Sequence, residues 1–310
     1  MLSLYEHKEV LPFFPTVGAG PIPTACHPEG CYPYETYVET AKRPVMRSVQ
    51  LITIENDHLS ATVCPDLGGR LVSLKKKRAG RESIETLFDS GCVRPVRILP
   101  RGHFIGGGIE LSFPVSHTPS MLEKVCYEVV ESNGRVAVRF GERELRFGMQ
   151  WLGEFSLGED DVFLTQQALF LNPGKSSYPW MSWSNAGVPC APDTEFYFPN
   201  GPVLRHDSRL GEIDWETEGP KQQSEVEEMT GYFWRDPDVN AFGVFTPSLG
   251  CGLYHIADLE QMPGIKLWTD GVGRDRSWVS QYTLDGRQCL EIQAGPHADQ
   301  GVKGELAPGV

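Results

Sequence analysis

Short runs of β-branched and aromatic residues, alternating with polar ones and cut by glycine or proline, recur along most of the chain. SVQLITIEND, HLSATVCPD, RVAVRFGE, DVFLTQQALFLNP, AFGVFTP, CGLYHIAD and CLEIQAG each read as a strand. In RVAVRFGE, Val136, Val138 and Phe140 alternate with Arg135, Ala137 and Arg139, the period-two signature of a half-buried antiparallel strand. Helical periodicity is thin: SEVEEMTGYF (224–233) admits a helix, and MLEKVCYEVV (121–130) admits helix or strand. Many short strands with few helices predict an all-β sandwich or barrel. No internal repeat, low-complexity tract or interdomain linker interrupts the pattern.

The same alternation sorts side chains onto faces. In CLEIQ, Leu290 and Ile292 point one way while Cys289, Glu291 and Gln293 point the other. PGIKLW sets Ile265 and Leu267 against Lys266 and Trp268, and WMSWSN puts Met181, Trp183 and Asn185 on one side. For any one strand, scattered polar residues on a two-sided sheet explain this pattern. Three strands that each pair an acid, amide, lysine or indole with an apolar opposite face point to a sheet lining a wet pocket. Aromatic rings beside hydrogen-bonding groups suit a small polar ligand with apolar patches, of which a sugar is the commonest. Glu110 in GGGIELSF is flanked by Ile109 and Leu111 and so also points away from the apolar face. Gly106, Gly107 and Gly108 lack the Lys-Ser/Thr of a phosphate loop, and tight backbone packing near Glu110 accounts for them better.

Composition narrows the function classes. The 310 residues are 40% hydrophobic and 22% charged, enough for a sizeable core. A net charge of −13 argues against a nucleic-acid partner, despite short basic runs at 74–81 and 94–101. No apolar stretch is long enough to span a membrane, and Glu6, His7, Lys8 and Glu9 fall where a signal peptide needs its apolar segment. A cytoplasmic location, with the eight cysteines as free thiols, is the expectation. Cys26, His27 and Cys31 form a metal-like cluster but lack a second ligand pair, so no metal site is assigned. No dinucleotide fingerprint or other cofactor motif occurs, so no cofactor is implied.

The segments IENDHLSATV, PDLGGRLVSL, GGGIELSFPVSH, GERELRFGMQW, YPWMSWSNAGV, GLYHIADLEQMPGIKLWTDG and LEIQAGPHADQ run in order from about residue 49 to residue 300. Together they resemble the galactose mutarotase-like superfamily. Within it they are most similar to a bacterial and fungal domain-of-unknown-function family often fused to tetratricopeptide repeats. The resemblance implies an antiparallel β-supersandwich over 49–300, preceded by an irregular Pro- and aromatic-rich extension over 1–48 and followed by a tail over 301–310. Phe13, Phe14, Tyr32, Tyr34 and Tyr37 are anchors that would hold the extension on the core. The chain ends soon after the last motif, and the repeats are not expected in it.

The resemblance also carries roles. Glu291 in LEIQAGPHA falls on the catalytic glutamate position of mutarotases, PDLGGRLVSL brings Arg70 near the site, and His117 in FPVSH falls near their substrate-contacting histidine. YPWMSWSNAGV holds no histidine where mutarotases carry their general acid, so His117 and His255 compete for the second catalytic role. The expected site is therefore catalytic Glu291 and His117, with Arg70, Glu110, Trp183, Asn185, His255, Lys266, Trp268 and Gln293 contacting substrate. The expected activity is an epimerase or mutarotase-like isomerase acting on a carbohydrate or similar cyclic polyol. A hydrolase or lyase using Glu110 with Glu291, an isomerase or cyclase of a specialised metabolite, and a noncatalytic sugar-binding protein stand as alternatives. Oligomeric state is not legible.

Overall fold

The computed structural model describes residues 2–17, 33–34, 39–98, 102–115, 117, 120–208, 210–273 and 279–310. Within them a twelve-stranded antiparallel sheet forms the backbone of the molecule. Its order is Ser3–Phe13, Val45–Glu55, Leu59–Cys64, Arg70–Arg78, Gly108–Ser112, Trp183–Pro189, Cys289–Gly295, Gly264–Thr269, Thr230–Trp234, Pro202–His206 and Gly211–Asp214, with Arg81–Glu85 paired beside Arg70–Arg78. A four-stranded sheet of Cys126–Ser132, Arg135–Arg143, Gln150–Gly158 and Thr165–Leu171 packs on one face.

The period-two alternation explains how the layers join. Ile52, Ile54, Ala186, Leu290 and Ile292 from the main sheet share one core with Val136, Val138, Phe140 and Phe155. Fully burying each such side chain contributes about 1.5–3 kcal/mol. The opposite face carries a second cluster, in which Cys289 joins Val49, Leu51, Phe88, Phe104 and Tyr282. One strand thus serves two compartments, Leu290 and Ile292 in the sandwich core and Cys289 on the far side, as its pattern predicts. The turn before Arg70–Arg78 needs glycine: Gly69 has φ +76, and a Cβ there would lie 1.9 Å from the Phe140 ring.

Two readings change. The segment 3–13, read as irregular extension, is a regular edge strand paired with Val45–Glu55 along its whole length. Its Glu6, His7, Lys8 and Glu9 are exposed, so it shows no apolar alternation to read. The possible helix at 224–233 is instead a short 3-10 turn, Gln223–Glu225, followed by the strand Thr230–Trp234, and 126–132 is strand. Sheet pairing overrides the Glu-rich local propensity there. Phe13 and Phe14 are buried as anchors, and the Tyr34 hydroxyl accepts from the Leu145 N–H at 2.9 Å. Tyr32, Tyr37 and the Cys26, His27, Cys31 cluster lie outside the described residues.

Candidate functional site

On the face turned away from the sandwich core, strand register lines up two rows of side chains. Glu110 lies opposite Asn185, Asn185 opposite Gln293, Gln293 opposite Lys266, and Lys266 opposite Phe233. One step along, Gly187 faces Glu291, Glu291 faces Trp268, Trp268 faces Gly231 and Gly231 faces His206. Directly opposed residues share a face, and neighbouring strands are about 4.8 Å apart, so the second row runs about 14 Å from Glu291 to His206.

A cavity of about 1400 Å³ opens over this face, with Glu291, His117, Trp268, Lys266, Gln300 and Gly231 in its wall. Gln293 Nε2 donates to Glu291 Oε2 at 2.7 Å, which orients the carboxylate. Lys266 Nζ donates to Gln300 Oε1 at 3.0 Å, and Gln300 Nε2 donates to Gln293 Oε1 at 3.3 Å. The first row is thus tied to the 296–301 loop.

The other side of the site is built on Glu110. Its Oε2 meets Arg70 Nη2 at 3.4 Å and His117 Nδ1 at 3.1 Å, all three residues being nearly sealed from solvent. His117 holds φ +60, a backbone state that costs a non-glycine residue energy and that Glu110 helps to fix. Arg70 also donates to the Gly107 carbonyl. Burial pulls the Arg70 guanidinium below its ordinary value, while the charges of Glu110 and Glu291 push it back up. It stays protonated at physiological pH, so one buried cation serves both carboxylates. The glycine run has the packing role expected of it: a Cβ on Gly107 would lie 2.1 Å from the Phe88 carbonyl and one on Gly108 2.6 Å from that of Leu71.

Eight of the ten expected residues converge here. Glu291, His117, Lys266 and Trp268 reach the cavity wall, and Arg70, Glu110, Asn185 and Gln293 stand behind them. The Asn185 amide is 2% exposed, and neither its oxygen nor its nitrogen has a hydrogen-bond partner among the described residues. Trp183 shares the face of Asn185 but is 0% exposed, its indole laid over Gly295 and Gly264, where added Cβ atoms would each lie 2.8 Å from the ring. It is a packed wall of the sheet and does not line the cavity.

His255 lies elsewhere. It sits on Cys251–Ala257, in a separate three-stranded sheet with Glu195–Tyr197 and Asn240–Thr246, opposite Phe242 with ring centroids 4.9 Å apart. The motif that joined it to PGIKLW is contiguous in sequence but turns between two sheets.

The sequence reading passed over His103 and Gln300. His103, on Gly102–Phe104, is buried, and its burial lowers it to about 4, with Glu110 raising it and His117 and Arg70 lowering it further. Three ionisable groups of the site therefore act on it. Its nearness to the glycine run was the available signal. The Tyr282 hydroxyl donates to Asp270 and accepts from the Cys289 N–H at 3.5 Å, at the start of the strand that carries Glu291.

A family model described as a domain of unknown function (DUF5107) matches residues 26–308. The chain belongs to the DUF5107 family. A TPR-domain containing protein from Parabacteroides distasonis ATCC 8503 is 49% identical over 99% of this chain and 53% of its own, with a TM-score of 0.94. This DUF5107 chain spans about half the length of that protein. Galactose mutarotase-like proteins from Clostridium acetobutylicum and from Lactobacillus casei ATCC 334 superpose with TM-scores of 0.55 and 0.51. They are 12% and 11% identical, cover 84% of this chain each, and are themselves covered over 92% and 96%. At that identity they bear on the fold alone, and the DUF5107 chain has the galactose mutarotase-like β-sandwich its motifs led us to expect. No helix among its described residues is long and apolar enough to cross a membrane.

Proposed function

We propose that the chain is an isomerase of a sugar or similar cyclic polyol, with Glu291 and His117 as its acid–base groups. One observation carries the reading: Glu291 and His117 share the wall of one cavity, and each is aimed by a dedicated hydrogen bond, from Gln293 and to Glu110. In the proposed step one group takes the proton of the anomeric hydroxyl while the other gives a proton to the ring oxygen. The ring C–O bond breaks to leave an open-chain carbonyl, rotation exposes its other face, and closure reverses both transfers. Such positioned proton transfer needs two groups on opposite sides of the reacting centre. Trp268 supplies an apolar surface for the ring, and Lys266 and Gln300 supply hydrogen bonds to hydroxyls. Arg70, electrostatically tied to Glu110 and Glu291, holds the two sides in one field. Glu110 is committed to Arg70 and His117, which favours isomerisation over a glycosidase pairing of Glu110 with Glu291.

The test is anomer equilibration of freshly dissolved sugars, followed by proton NMR. Glu291→Gln keeps the shape of the side chain and should cut turnover by about 10²–10⁴-fold, with an unchanged circular dichroism spectrum. Undiminished turnover in that variant would remove Glu291 from the chemistry. Saturable sugar binding in a wild type that turns nothing over would leave a binding protein.

A further inference from the structure

The Ser3–Phe13 strand ends the main sheet, and among the described residues no strand pairs with its outer edge between Leu4 and Val10. In an extended strand the N–H and C=O of one residue point to one side and those of the next residue to the other. Two bonds fix the sense here: the Val93 N–H donates to the Pro12 carbonyl, and the Phe14 N–H donates to the Val93 carbonyl. Pairing with Val45–Glu55 runs without a bulge from Ser3 to Phe13. Even-numbered residues therefore turn their backbone groups outward, and Leu4, Glu6, Lys8 and Val10 offer theirs to another strand. The side chains are open on both faces as well, with Tyr5 47% and Val10 55% exposed. An open edge of this length is a ready template for strand addition.

We propose that this edge pairs antiparallel with the same edge of a second copy, about a two-fold axis at His7. Outward groups must meet outward groups, so even residues oppose even residues. With the axis at His7, Leu4 opposes Val10 of the second copy and Glu6 opposes its Lys8, and the symmetry repeats both pairs. Every bonded pair is then apolar with apolar or acid with base. Sliding by one allowed step in either direction sets Glu6 against Glu6 or Lys8 against Lys8 at the axis. Opposite charges directly across strands stabilise the pairing and like charges oppose it, so the chain's own charges select one register. Within its own chain, Glu6 Oε2 accepts from Tyr127 Oη at 3.0 Å and Gln50 Nε2 at 3.2 Å, both on the inner side of the strand. Pro12, with no N–H and a carbonyl bonded to Val93, ends the ladder beyond Val10.

Sedimentation velocity of the full chain at rising concentration tests this. The wild type should show a concentration-dependent dimer. Lys8→Glu should weaken it by about tenfold or more, because two attractive pairs become repulsive. Val10→Pro removes an N–H that serves the outer edge alone and should abolish the dimer while thermal melting stays cooperative. Glu6→Lys with Lys8→Glu restores opposite charges and should recover wild-type association. A wild type that stays monomeric overturns the proposal, and Lys8 and Pro12 then act as guards of a lone edge. A dimer equally stable in Lys8→Glu and Val10→Pro overturns it too, because the contact must then lie elsewhere.

Discussion

Replacing His103 with Gln should flatten the acid side of the stability profile, and the size of the effect follows from its surroundings. Burial holds the imidazole at about 4 against an ordinary 6.5, the charge of Glu110 opposing that shift and those of His117 and Arg70 adding to it. As pH falls below 6.5 the unfolded chain takes up a proton at this ring while the folded chain does not. The unfolded state then binds more protons, so stability is lost as pH drops through the window from 6.5 to about 4. Between pH 7 and pH 5 this one residue costs the fold about 2 kcal/mol, and over the whole window about 3 kcal/mol. Urea unfolding followed by tryptophan fluorescence at pH 7, 6 and 5 reads this directly. The wild type should lose about 2 kcal/mol more than His103→Gln over that range. Parallel profiles for the two proteins, or an NMR titration of the His103 ring centred near 6.5, would refute the reasoning. A ring kept neutral at physiological pH is also a hydrogen-bonding group within electrostatic reach of Glu110 and His117.

Arg70→Met and Glu110→Gln should each cost about 3–5 kcal/mol in chemical denaturation, because each strips the partner from a buried charge. The double variant should cost clearly less than the sum, and strict additivity would mean that the 3.4 Å pair contributes nothing as a pair. Asn185→Leu should leave stability unchanged or raise it by about 1 kcal/mol, since the amide has no partner among the described residues to lose. The same change should weaken sugar binding measured by calorimetry, because Asn185 lies behind the wall between Glu110 and Gln293, and a loss of several kcal/mol in stability would show the amide already engaged in the free protein.

The strand faces were legible because burial on one side of a sheet imposes period two. Glu291, Gln293, Lys266 and Trp268 could be grouped from alternation alone, and the two strands that carry them are immediate neighbours. What alternation cannot give is what covers a face. Trp183 points the same way as Asn185, yet Gly264 and Gly295 let its indole lie flat against the sheet, and it is sealed there. Neither can it say when a continuous motif changes sheet, which is how His255 was drawn toward a site it does not reach. The edge strand at 3–13 was hidden for the opposite reason. With solvent on both faces, nothing selects apolar residues at alternate positions, and a regular strand reads as coil.

Two glycines of the second row show how the sheet turns a polar face into a directional cleft. Gly187 and Gly231 flank the Glu291–Trp268 pair on either side, and neither has a side chain to block it. At Gly187 the space is taken by backbone: an added Cβ would lie 2.7 Å from the Gly107 Cα, so the glycine-rich loop closes that end. At Gly231 an added Cβ would meet only side chains at ordinary contact distance, Phe233 Cε2 at 3.5 Å, Lys266 Cε at 3.7 Å and His206 Cβ at 4.0 Å, so no backbone closes that side. Glu291 therefore stands beside the closed end, within electrostatic reach of Arg70, with Trp268 on its other side. The same cavity is also lined by Asp207, Glu218, Glu225, Glu227 and Glu228 beside Lys266 and Trp268, so Glu291 is one of several carboxylates in its wall. On the proposed function, the acid–base groups Glu291 and His117 are both buried, where electrostatic interactions are stronger than in open solvent.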